Sequence, residues 1–188
     1  SKDDGSLPED NEEPPIIQGQ FVLAANALEG MHWVAAHSSD SKYGKAAGRT
    51  VAWIAANDPV TTQDFVFKIF TLNRYGTSDQ KRAAWQLLEV LAAQKQPDGG
   101  WKEVPGMDGS NGYATGQVLY ALKQAGVSVR SPMFQRGVQY LLKTQVNEPT
   151  AENGSWKAVH TQSQRKSDFA PTMWAVIGLA GAYGAEPK

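Results

Sequence analysis

The chain has 188 residues, 41% hydrophobic and 20% charged, which is enough apolar material for one domain with a sizeable core. A formal net charge of -1, with no Lys/Arg stripe, argues against nucleic acid as a partner. The lack of cysteine excludes disulfides, thiolate metal sites and a cysteine nucleophile, and no apolar run of about 18 residues is present to span a membrane.

Residues 1–17 carry Asp3, Asp4, Glu9, Asp10, Glu12 and Glu13 against Lys2, with Pro8, Pro14 and Pro15 and few large apolar groups. Such a segment cannot offset its ordering entropy, so it reads as an acidic disordered tail or linker ahead of one domain over 18–188. The chain begins at Ser1 with no initiator Met, as a processed product or a piece of something longer would. The expected partners are accordingly other domains of a longer parent, or a second copy of the chain.

Residues 20–37 repeat Phe21, Ala24, Leu28, Met31 and Ala35 at intervals of three or four, which predicts a helix with one buried stripe. A second helix is expected over 44–57, closed by Asn57-Asp58-Pro59. Thr61 and Asp64 form a capping box ahead of Phe65, Val66, Phe67, Ile69, Phe70 and Leu72. That helix is apolar on every face except around Lys68, the pattern of an inner helix, and Gly76 reads as its glycine cap. Its phenylalanines also suit a docking face. Thr77 and Gln80 make a second capping box for a helix over 78–95 with Ala84, Leu87, Leu88, Leu91 and Ala92 inward. Beyond the loop 102–111, helices are expected over 112–126, stopped by Gly126, over 132–145, opened by Ser131-Pro132, and over 169–181. The total is seven helices and no convincing strand.

Two turns stand out. Gln94 leads to Asp98-Gly99-Gly100-Trp101, and Gln145 leads to Gly154-Ser155-Trp156. In each, an apolar helical run ends near a Gln, a polar turn closes on Trp, and a new helix follows. Trp101 and Trp156 are 55 residues apart, and Asn111/Thr115/Leu122 recur as Asp168/Thr172/Leu179 at an offset of 57. A unit of that length, two helices and two loops, predicts an array of helical hairpins. A third copy over 44–76 keeps the helices and lacks the Gly-Trp turn.

The turn has a mechanical reading. A Gln amide bridges backbone groups left open at a helix end, the glycines admit positive φ, Asp98 caps the turn, and the Trp lays its ring on the next helix with its N–H free for one carbonyl. The rival reading makes Trp101 a platform for stacking sugars and Asp98 an acid. The copy at Gln145–Trp156 has Asn153 in place of that acid, which a staple tolerates better than a catalytic site would.

These two turns, with Arg136, Gly137, Tyr140, Leu141 and Gln145 before the second, resemble the QW motifs of the squalene–hopene cyclase and prenyltransferase superfamily. The helices GYATGQVLYALKQAG and DFAPTMWAVIGLAG look like its inner helices. The resemblance covers about 78–181 and is closest to bacterial proteins with cyclase-like repeats, which are often exported. It implies an all-α, α/α toroid fold, and a periplasmic or extracellular location. Seven helices do not close a ring of that kind, so a partial, open arc is expected.

The same resemblance tests for chemistry. A cyclase of this superfamily protonates its substrate with the middle Asp of an Asp-x-Asp-Asp motif, and no such motif is present. Its protein prenyltransferases use an Asp/Cys/His zinc site, which a cysteine-free chain lacks. His32 and His37 are five apart, a poor metal pair, and Ser163, Ser167, Asp168 and His160 cluster without the elbow turn of a hydrolase. No catalytic residue, metal or cofactor is therefore assigned.

The concave face should be lined by helices 62–75, 112–126 and 168–181. Tyr113, Gln117, Tyr120, Met173 and Trp174 are the candidate groove-lining residues, each equally readable as core. The leading expectation is a non-catalytic scaffold or binding domain taking a peptide, glycan or lipid-like ligand. The alternatives are a piece of a terpene cyclase or polysaccharide lyase-like enzyme whose catalytic part lies elsewhere, and a self-associating structural module.

Overall fold

The computed structural model describes residues 2–7, 19–162 and 167–183. Seven helices and no strand form among them: α1 (Gln20–His37), α2 (Lys42–Ala56), α3 (Thr62–Tyr75), α4 (Ser78–Ala93), α5 (Gly112–Gln124), α6 (Pro132–Thr144) and α7 (Phe169–Tyr183). α1 packs on α3, α3 on α5 and α5 on α7, which makes an inner row. The outer helices sit against it: α2 on α1 and α3, α4 on α3, and α6 on α5 and α7. The result is an open α/α toroid-like arc. α1 therefore joins the inner row, a place the sequence pattern did not assign to it.

Most helix starts follow from their caps. The Thr61 hydroxyl accepts from the Asp64 amide while the Asp64 carboxylate takes the Thr61 amide, and Thr77 with Gln80 repeats the exchange at α4. Ser131 caps α6 with Pro132 just inside, and the Asn111 side chain accepts from the Ala114 amide at α5. Gly76 departs from expectation. Its backbone is extended at φ -74 rather than left-handed, and a Cβ there would lie 2.4 Å from the Leu72 carbonyl oxygen. Closeness to the helix end, not positive φ, selects glycine at that point. Gly126 does take the left-handed conformation, at φ 80.

α3 buries Phe65, Val66, Ile69 and Leu72 between its neighbours, so these side chains fill the interior instead of offering a docking face. Lys68 was the expected polar exception on this helix, yet it too is buried. Its ammonium donates to the carbonyls of Ala55 at 3.0 Å and Asn57 at 2.5 Å, at the C-terminal end of α2. Burial pulls its pKa down, and the charge of Asp58 works in the opposite direction. The end of each outer helix thus receives a donor. Lys68 serves α2, the Trp101 indole serves Leu91 of α4, and the Trp156 indole serves Leu141 of α6. The degenerate hairpin that lacks a Gly-Trp turn replaces the indole N–H with an ammonium.

Apolar burial falls into two clusters. One gathers Phe65, Leu88, Trp101, Leu119, Phe134, Trp156 and their neighbours across α3–α7. The other holds Phe21, Leu28, Val51, Ile54, Leu72 and Ala84 under α1 and α2. Met31 and Ala35, expected in the α1 stripe, are only half-buried, and Val22 and Ala25 are buried instead. Of the acidic segment, residues 2–7 rest on α2: the Thr50 hydroxyl donates to the Gly5 carbonyl at 3.0 Å, and Ser6 is buried. Residues 8–17 lie outside the described residues.

α5 and α7 approach closely. A Cβ on Gly116 would stand 2.1 Å from the Trp174 carbonyl oxygen, and one on Gly178 would stand 2.9 Å from the Gly116 Cα. Two glycines facing each other let the backbones touch, which seats the inner row tightly at this joint.

Candidate functional site

α3, α5 and α7 run parallel, so matching positions meet across the inner row. On α3, Gln63, Phe67, Phe70 and Arg74 recur at intervals of four, three and four, on one face. On α5, Tyr113, Gln117 and Tyr120 repeat that spacing 50 residues later. Trp174 of α7 enters between the two rows. Its ring centroid is 6.2 Å from Phe67, 6.5 Å from Tyr113 and 6.0 Å from Tyr120, each in an edge-on arrangement. Phe70 lies 6.1 Å from Tyr120 and extends the cluster toward the C-terminal ends of the helices. Edge-to-face contacts of this kind place the positive rim of one ring on the negative face of another.

Polar groups close both ends. Toward the helix N-termini, the Tyr113 hydroxyl donates to the Gln63 side-chain carbonyl, and the Gln117 amide donates to the same oxygen at 3.2 Å. Gln117 is fully buried, and its own carbonyl oxygen has no partner among the described residues. At the other end, Arg74 pairs with Glu29 of α1 at 3.3 Å and lies over the Phe70 and Tyr75 rings, while His32 stacks on Tyr75 with centroids 4.1 Å apart. The Arg74–Glu29 pair is substantially exposed and contributes little to stability.

Burial raises the Tyr113 and Tyr140 hydroxyls far above the usual phenol range. Their folded pKa lies above the unfolded value, so the stability they contribute is fully present below about pH 10 and is lost as pH climbs through the folded value. Urea titrations at rising alkaline pH should show this decline, at up to about 1.4 kcal/mol per pH unit for each tyrosine. Tyr113→Phe should flatten the slope. An unchanged slope would mean that the ring ionises freely in the native protein.

The two Gly-Trp turns are built alike. The Trp101 indole donates to the Leu91 carbonyl at 2.7 Å and its amide to the Thr115 hydroxyl at 3.0 Å. For Trp156 the partners are the Leu141 carbonyl at 2.8 Å and the Thr172 hydroxyl at 3.0 Å. Gly99 and Gly154 both have positive φ. The Asp98 carboxylate accepts from the Gly100 amide and the Ser110 hydroxyl, each at 2.9 Å. Gln145 donates to the Gly154 carbonyl at 2.9 Å, Gln96 donates to the Gln94 carbonyl at 2.6 Å, and Gln94 lines a small cleft with Gln96 and Thr62. Neither Trp ring is accessible, so no sugar can stack on Trp101.

Tyr113, Gln117, Tyr120 and Trp174 therefore come together across the inner row, Tyr113 and Gln117 as buried core residues and Tyr120 and Trp174 half-buried. Met173 instead lines a groove on α7 with Phe169 and Val176. Sequence reasoning missed Gln63, Phe67, Phe70 and Arg74. Their four-three-four spacing, matched on α5, was the available signal. The loop over the N-terminal ends is tied by Glu103, whose carboxylate accepts from Asn111 at 2.8 Å, the Thr161 hydroxyl at 3.1 Å and the Gln162 amide at 3.0 Å. The His160 carbonyl accepts from Asn111, and Asp168 accepts from the Ala158 amide. Ser163 lies outside the described residues. No group of three His, Cys, Asp or Glu among the described residues is placed to hold a metal, and no helix there is long and apolar enough to cross a membrane.

Residues 26–187 match the family model of the squalene-hopene cyclase C-terminal domain. The chain belongs to that family. The match spans six of the seven helices in full and most of α1, so membership extends over the region before residue 78 where sequence likeness was weak. No curated protein matches this squalene-hopene cyclase C-terminal domain chain.

Proposed function

We propose that this cyclase-family domain binds an elongated apolar, lipid-like ligand along its inner face and does not itself transform it. The observation that carries the reading is Trp174 ringed by Phe67, Tyr113 and Tyr120 on three inner helices. Aromatic walls with a few fixed polar groups at the ends are the usual make-up of a site for a largely apolar molecule. The sequence carries no Asp-x-Asp-Asp motif of the kind that supplies the proton for a carbocation reaction, which supports binding without turnover. We also read the two Gly-Trp turns as QW repeats with a structural role, since both rings are spent on closing helix ends.

Isothermal titration of the chain with a linear isoprenoid alcohol, a soluble oligosaccharide and an unstructured peptide tests the reading. The isoprenoid should bind and the other two should not, and Trp174→Ala should weaken binding at least tenfold, about 1.4 kcal/mol. Conversion of the isoprenoid to a cyclic product would replace this reading with the enzyme alternative, which the family match supports. Preference for the sugar or the peptide would move the ligand to another class.

A further inference from the structure

We propose that the free side of α7 is an interface for the α1 end of a second copy of this chain, so that copies join head to tail. The proposal is independent of what the inner face binds. α7 contains no charged residue, and Phe169 and Val176 are 62% and 52% exposed. With Met173, Ile177, Thr172 and Ala151 they line a mainly apolar groove of about 590 Å³, to which Glu152, Ser155 and Asp168 also contribute.

The repeat identifies what fits there. At the offset of 57, Gly112, Gly116 and Leu119 of α5 correspond to Phe169, Met173 and Val176 of α7. On α5 all three positions are covered. A Cβ on Gly112 would lie 3.1 Å from the Trp156 side chain, and Gly116 lies against the Trp174 backbone. Leu119 packs where a Cβ on Gly137 or Gly178 would touch it, at 2.8 and 3.3 Å. Met173 and Val176 therefore stand where, one repeat earlier, the next inner helix is seated, and Phe169 stands where the Trp156 turn closes over α5. A second helix of the inner type completes the groove.

Among the described residues, one such helix has an inner neighbour on one side only. α1 opens the inner row, and its outward residues Asn26, Gly30, Trp33 and His37 are exposed and carry no carboxylate, lysine or arginine. A Cβ on Gly30 would meet nothing within 4 Å, an open slot like the one Gly178 provides between α5 and α7, and Trp33 is 65% exposed. α1 can thus stand to α7 of a neighbour as α7 stands to α5. The two surfaces differ, so the contact is heterologous and propagates until the assembly closes into a ring or extends as a filament.

Light scattering of the full chain over a wide concentration range tests this. The mass should rise above the monomer with concentration, toward either a plateau or continued growth. Val176→Glu on α7 and Trp33→Glu on α1 should each stop growth, weakening association at least tenfold. An equimolar mixture of the two should recover a dimer and nothing larger, because each variant keeps one intact end. A wild-type chain that stays monomeric overturns the proposal, as does a dimer that survives Trp33→Glu and not Val176→Glu, which would mean two α7 faces meeting. Circular dichroism checks that the variants fold. If either loses helix, Phe169→Ser and Gly30→Gln probe the same two ends.

Discussion

Gly116→Ala should destabilise the chain by about 3 kcal/mol in urea unfolding, the upper range for overpacking a tight contact. The added Cβ would stand 2.1 Å from the Trp174 carbonyl oxygen and 2.7 Å from the Ala175 amide nitrogen. Both are backbone atoms of an adjacent helix, so nothing at the contact can rotate aside. α7 must move away from α5, and that movement also opens the packing of Leu119 against Gly178. Gly48 of α2 supplies the control, since a Cβ there meets nothing within 4 Å. Gly48→Ala should gain about 0.5–1 kcal/mol from the better helix former. Equal effects at the two sites would show that helix propensity, not helix–helix contact, governs both glycines.

Trp101→Ala and Trp156→Ala should each cost about 3–5 kcal/mol, the range for emptying a buried aromatic site. Both rings are almost fully buried, and each residue ties three helices, two through its side chain and one through a backbone amide that the alanine variant keeps. Trp101 holds the end of α4 through Leu91, the start of α5 through Thr115, and the face of α6 at Gly137, where a Cβ would come within 3.1 Å of its ring. Trp156 does the same for α6, α7 and α5 through Leu141, Thr172 and Gly112. The phenylalanine variants separate packing from hydrogen bonding. Trp101→Phe keeps most of the ring and removes the indole donor, leaving the Leu91 carbonyl with the longer 3.2 Å bond from the Gln94 amide, at a cost of about 0.5–1.5 kcal/mol. A loss below about 1 kcal/mol for either alanine variant would contradict the staple reading.

What was legible in the sequence was the local chemistry. The capping boxes at Thr61 and Thr77, the Ser131-Pro132 start and the left-handed Gly126 each act within a few residues of themselves, so composition and spacing expose them. What escaped depends on distant partners. Gly116 and Gly178 carry no signal of their own in the sequence, because the contact that requires them is with the backbone of another helix. Lys68 reads as a solvent-facing charge, because its acceptors at Ala55 and Asn57 belong to another helix. Gly76 carries the residue type of a left-handed cap and serves instead to clear the Leu72 carbonyl. At the inner face, Tyr113, Tyr120 and Trp174 were identified by type and helix. Phe67 and Phe70 went unassigned because a helix apolar all round hides which of its sides faces the groove.

The unequal ties along the arc also bear on how it comes apart. Stacked repeats ordinarily open one at a time, each held only by its neighbours. Here two tryptophans each reach three helices, through the indole and the backbone amide together, so the stretch from α4 to α7 is cross-braced and must loosen together. α1 and α2 lie outside that bracing, in a second apolar cluster that they share with Leu72 of α3 and Ala84 of α4, with the lysine clasp at the end of α2 as their counterpart to an indole. The molecule is in this sense a rigid block with a detachable first hairpin. Fluctuation, proteolytic nicking and amide exchange should concentrate in α1 and α2, at a free energy well below that of global unfolding.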